Sequence, residues 1–412
     1  MKTVLLLLLA LAVSLTARET PSPTASVLSP AARQCFTWYA TLGYPDVREA
    51  PWIKIWTGVD APSEDSPVAD CRLGFLLGER DGRFETLETD LARRTWVSRL
   101  HPTEPRHRVT YERQDFNDYT RTLLDELRHP PAKSDSWPRM GPQLGRKSET
   151  FVIAYVAWQR GDTAMAQALF DGAAKLPRLN GRVEEKTTPE AIRPDLEKEL
   201  GYTEMWRAVL RCNHHSLPPR AELRAAFQDI ADHYPHSGFA DRARRFVSTF
   251  DRMIQQDATH ATFTDDQLAA LPPEAQVREY IFRLRDQHGA QWTYPGSCDL
   301  FTSHRRAELD STALRLVKLG HVAVPQLIEA LSDDSLARAV GCHRDFYFSH
   351  HVLTVGDCAE IILSRIAGRK FFERHSTSSY MSMENEVEAT RKKAVAWWNT
   401  ASHAVRKPSR QK

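Results

Sequence analysis

The stretch from Leu316 to Asp334, LVKLGHVAVPQLIEALSDD, decides the fold class. It holds no nucleophile beside a base, no phosphate-binding loop and no metal-ligand spacing. Apolar Ala313, Leu314, Leu316, Val317 and Leu319 follow a helical period up to Gly320, which is placed to close the helix as a left-handed cap. Pro325 then restarts a second helix, where its missing N–H does no harm. Leu327, Ile328 and Leu331 form that helix's stripe before the acidic turn at Asp333 and Asp334. A helix pair this short cannot bury its stripe alone, so it must stack on neighbours.

Working outward, the order helix, glycine, AVPQLIEAL, acidic turn and Arg338 resembles a HEAT repeat. VGDCAEIILSRIAGR (355–369) resembles the first helix of another, and EVEATRKKAVAWWNTA supplies an amphipathic terminal helix with Trp397 and Trp398. The tail from about 275 to 400 is similar to exported HEAT-like proteins of planctomycete-type bacteria. That resemblance implies an α-solenoid, an architecture that hosts binding more often than catalysis. Upstream, ETFVIAYVAWQRGDTAMAQALFDGAAKLP predicts two helices around Gly161 and Asp162. Ala166, Phe170 and Ala173, with Ala154 on the first helix, let the pair approach closely and interlock. These positions, with Pro177, resemble a tetratricopeptide repeat. EMWRAVLRC and ELRAAFQDIADHYPHSGFADRARRFVSTFDRM form a looser second copy. The intervening RVEEKTTPEAIRPDLEKEL reads as too polar for core, so the array is degenerate.

The expected fold class is therefore mainly α, with TPR-like then HEAT-like helical hairpins in an α-solenoid-like arrangement, preceded by a mixed α/β N-terminal region. Lys2 and the apolar run Val4–Val13 mark residues 1–17 as a signal peptide, too short for a span of about 20 residues. A Pro/Ser/Thr-rich leader (18–32) follows. In the mixed region (33–145), CFTWYA starts as a helix, Trp52–Trp56 alternates, GFLLGERDGRFETLETDL reads as a hairpin around Asp81-Gly82, and DYTRTLLDELRHPP reads as a helix. The TPR-like region covers 146–262, the HEAT-like region 263–404, and a basic tail 405–412.

Lys plus Arg (55) balance Asp plus Glu (53) over 412 residues, leaving no field to recruit nucleic acid. No apolar run after the signal reaches membrane-spanning length. Six cysteines, Cys35, Cys71, Cys212, Cys298, Cys342 and Cys358, are too sparse for a disulfide-built fold. Cys358, within an apolar helical pattern, reads as a small buried hydrophobe. Two clusters have ligand-like composition: Cys212, His214 and His215 with His233 and His236, and Cys342, His343, His350 and His351. Adjacent histidines point in different directions, so neither cluster is expected to hold a metal, and no cofactor is implied. The expected function is an exported, non-enzymatic repeat scaffold for a protein or peptide partner. The alternative is an exported hydrolase or thiol enzyme using Cys298 or a histidine cluster. RAVGCHRDFYFSHHVLT is longer than a repeat turn requires. Its Phe346, Tyr347 and His350, with Trp292 and Tyr294, have the composition of interface anchors and form the expected binding surface.

Overall fold

The computed structural model describes residues 28–57, 70–97, 109–129, 146–176, 189–213, 217–289, 299–301, 311–341, 350–373 and 383–406. The signal segment and most of the leader lie outside the described residues. The described chain is mainly helical, with a small antiparallel sheet in its N-terminal part. It forms two compact units, residues 28–193 and 194–406. The sequence places its breaks near 145 and 262, whereas the helical hairpin within 146–176 falls in the same unit as the sheet.

The first unit opens with α1 (Pro30–Ala40), capped by Ser29, whose hydroxyl accepts from the Ala32 N–H at 3.2 Å. Five strands follow: β1 (Trp52–Thr57), β2 (Asp70–Arg80), β3 (Arg83–Glu88), β4 (Arg93–Val97) and β5 (Val109–Arg113). Their order is β4-β3-β2-β1-β5, antiparallel throughout. The expected hairpin turns at Asp81 (φ 53°) and Gly82 (φ 70°), the doubly left-handed geometry that matches strand twist. Alternation sorts Ile53 and Ile55 onto one face with Leu76 and Phe84. Trp52 and Phe75 stack on the other, against Phe116 and Tyr119 of α2 (Phe116–Arg128). Helices α3 (Arg146–Gln159) and α4 (Thr163–Lys175) pack together across the turn at Gly161. Ala166, Phe170 and Ala173 are fully buried, as their spacing predicts.

The second unit contains α5 (Ile192–Cys212, from residue 194), α6 (Arg220–His233), α7 (Ala240–Thr259), α8 (Asp265–Ala269) and α9 (Pro273–Arg283). The segment read as too polar for core is helical from Ile192, and Ile192, Asp195, Leu196, Glu197, Glu199 and Leu200 are buried. Leu196 is 0% exposed and Glu197 2%. Apolar Ile192, Leu196 and Leu200 recur every fourth residue, a stripe masked by the acids between them. Glu197 is met by the His236 backbone N–H and ring at 3.3 Å each.

Next come α10 (Thr312–Leu319), α11 (Val324–Ala330), β6 (Leu336–Gly341), β7 (His351–Thr354), α12 (Val355–Ala367) and α13 (Val387–Arg406). Leu327, Ile328 and Leu331 are buried as the stripe requires. Gly320 does close α10, but at φ 58°, ψ −129°, outside the left-handed helical basin expected of it. The true left-handed cap is Gly368, ending α12. Arg338, assigned by the HEAT resemblance to the repeat, lies on β6. The arms of the long insertion are the antiparallel pair β6 and β7. Every residue from 336 to 341 is buried, so the strand has no polar alternation to betray it. α12 packs on α10, α11 and both strands, and one apolar cluster runs from Leu268 to Ala394.

Candidate functional site

Of the expected surface residues, Trp292, Tyr294, Phe346 and Tyr347 lie outside the described residues, as does Cys298. His350 is described, and it is 4% exposed. Its ring lies 4.1 Å from that of Trp206 on α5, and its carbonyl accepts from Arg242 Nη2 at 2.8 Å. Burial, reinforced by the Arg242 charge, pushes its pKa down to about 4, so the imidazole is neutral and packed inside the unit. His351 turns elsewhere: its Nε2 lies 3.1 Å from Asp357 Oδ2. Asp357 also closes a capping box with Thr354 at the start of α12. The neighbouring histidines thus serve different partners, and only one of them faces the α5 core.

Cys35, Cys212 and Cys358 are free and buried. Burial pushes the Cys35 thiol up to about 11 and Cys212 up to about 12, opposite to the shift an activated nucleophile needs. His214, His215, Cys342 and His343 lie outside the described residues, and His236 is largely exposed on Glu197. Among the described residues no three His, Cys, Asp or Glu side chains are grouped to hold a metal ion.

Arginines converge in the second unit. Arg220 reaches Asp257 and Asp286 at 3.0 Å each. Arg285 approaches the same Asp257 at 3.6 Å, and Arg338 the same Asp286 at 3.5 Å. Asp333 also faces Arg285, and Arg252 pairs with Asp334. Four arginines meet four aspartates, so the network is balanced. It ties α6, α7 and β6 together.

The first unit offers two concave places that sequence reasoning missed. One is an open groove of about 730 Å³ along the outer face of α1. Leu28, Pro30 and Trp38 give it an apolar floor, and Arg33 and Arg193 add two cations. The Arg193 guanidinium lies 5.5 Å from the Trp38 ring centre, within cation–π range. Local sequence positions these groups: the spacing Pro30, Arg33, Gln34, Thr37, Trp38 and Thr41 follows the helical period and places them along one face. Arg193 is 155 residues further along the chain by number from Trp38, and only folding brings it there. The second place is a partly enclosed cavity of about 170 Å³ beside Tyr39, Tyr44, Tyr155 and Gln159. Three tyrosines scattered over residues 39–155 carry no local motif that could have announced it.

No described helix is long and apolar enough to cross a membrane. Comparison of the chain with protein-family models, with curated proteins and with solved structures gave no match.

Proposed function

We propose that the protein is an exported, non-enzymatic helical scaffold that binds a peptide segment of a partner protein. One observation carries this: the α1 groove combines an indole, two further apolar residues and two arginines in one lining. That is the composition of a recognition surface, where an aromatic anchor supplies area and flanking cations select register. The complementary occupant is an extended segment with an apolar side chain beside Asp or Glu. The helical hairpins α3/α4 and α6/α7 support the repeat-scaffold part of the proposal, and the Lys2–Val13 pattern supports export.

Peptides selected from a random display library on the full chain test the binding claim. Selected sequences should carry an apolar residue flanked by acids, and Arg33→Glu, at an exposed position, should weaken them at least tenfold without lowering the melting temperature. Selection without acidic bias, or binding indifferent to Arg33→Glu, sinks it. Export is tested by the mass of the mature N-terminus in the native host, where a retained Met1 is the contrary result.

A further inference from the structure

The partly enclosed cavity of the first unit lies between the C-terminal end of α1, the loop from Thr41 to Pro51, Leu87 of β3, and α3. Its volume, about 170 Å³, is room for roughly six waters at about 30 Å³ each. It is smaller than the roughly 300 Å³ where drug-sized sites begin. Tyr39, Val47 and Tyr155 close its inner side, while Ala40 and Asp46 are exposed and mark its mouth.

Its chemistry is specific. Gln159 Nε2 donates to the Tyr155 hydroxyl oxygen at 2.9 Å, while Gln159 Oε1 is buried without a hydrogen-bond partner. Reversing the amide exchanges the two atoms and still leaves one half of it unmatched. A buried amide oxygen left without a hydrogen bond is costly, a standing preference for something that fills it. The Tyr155 oxygen accepts from Gln159 and keeps its own O–H. Burial, with Asp46 nearby, holds that proton on. An unfilled acceptor therefore sits beside an available donor, and the smallest group that answers both is a hydroxyl.

The cavity does not call for an ion. Asp46, the acid in its lining, accepts from the Arg48 guanidinium at 2.8 Å and from the Arg48 backbone N–H at 3.0 Å. The aromatic wall is built from Tyr44 stacked on Tyr39, centroids 5.4 Å apart and planes at 17°, with Tyr155 edge-on to Tyr39 at 4.6 Å. Stacked tyrosine faces suit the C–H face of a sugar ring. The wall is also held in place. Arg160 donates to the Ala50 carbonyl at 2.7 Å while its guanidinium lies 4.2 Å from the Phe116 ring centre, which pins the loop before any ligand arrives.

We propose that this cavity binds one neutral pyranose ring, with a ring hydroxyl bridging Gln159 and Tyr155 and the ring face on Tyr44. The site is separate from the α1 groove, so the fate of either proposal leaves the other standing.

The test is calorimetric titration of the full chain with methyl β-D-glucopyranoside and methyl α-D-mannopyranoside, with a soluble dextran as a second arm. Saturable binding of at least one pyranoside, weakened tenfold or more by both Gln159→Leu and Tyr44→Ala, supports the proposal. Binding of dextran but not the monosaccharides, with the same sensitivity, assigns the pocket to a chain end and also supports it. Tetramethylammonium serves as the charged probe. Saturable binding of that cation in place of the sugars overturns the proposal, as does the absence of any sugar binding. Sugar binding unchanged in Gln159→Leu overturns it too, and unaltered near-ultraviolet circular dichroism of that variant certifies that it is folded.

Discussion

Replacing Gly356 by alanine sets two elementary effects against each other. Gly356 lies in the first turn of α12, where alanine is preferred over glycine by up to about 1 kcal/mol. A β-carbon built there falls 2.5 Å from the Leu331 carbonyl oxygen, 3.1 Å from its carbon and 3.2 Å from the Asp333 oxygen. All three are backbone atoms, so no rotamer change relieves the contact. Reaching ordinary contact at 3.4 Å from 2.5 Å needs a shift of about 0.9 Å. That shift pulls on the two bonds that dock α12, Gly356 N–H to Asp333 O at 2.9 Å and Val355 N–H to Ser335 O at 2.7 Å. Two backbone hydrogen bonds at about 1 kcal/mol each, plus about 1–3 kcal/mol of overpacking strain, less the helix gain, leave a loss of about 2–4 kcal/mol. With a urea slope of about 2 kcal/mol per molar, the midpoint of the second unit's transition should fall by roughly 1–2 M. A midpoint that is unchanged or rises, as helix propensity alone dictates, refutes the close-approach reasoning.

Two further outcomes follow from burial. His350 has a folded pKa of about 4 against an ordinary 6.5, so its contribution is present above pH 6.5 and is lost as the pH falls through 4. At about 1.36 kcal/mol per pH unit the loss is at most about 3 kcal/mol. His350→Gln should flatten the fall in urea midpoint between pH 7 and 4.5, and an equally steep variant contradicts the assignment. Cys35 and Cys212, raised to about 11 and about 12, stabilise the fold below pH 9, and that contribution is lost as the pH rises through those values. At pH 8 their alkylation by iodoacetamide should be at least about 100-fold slower in the folded chain than in urea, from the two-unit drop in thiolate fraction. A described cysteine that reacts faster when folded would revive a thiol mechanism.

The sequence by itself determined the elements whose signal is local. The Asp81-Gly82 turn, the Gly161-Asp162 helix break and the buried Ala166, Phe170 and Ala173 all follow from backbone preference and periodicity within a dozen residues. So does the stripe of Leu327, Ile328 and Leu331. Tertiary structure decided what depends on distant partners. β6 is buried along its whole length, so its pairing with β7 left no alternation to read, and Arg338 passed for part of a helical repeat. The acids around Leu196 disguised a core helix because burying Glu197 depends on partners brought in by folding, His236 among them. His350 has the composition of an interface anchor, and only the packing of Trp206 and Arg242 around it makes it an interior residue. Both concave sites of the first unit have the same origin. Arg193 reaches Trp38, and Gln159 meets the tyrosines of α1 and its loop, through contacts that no window of sequence contains.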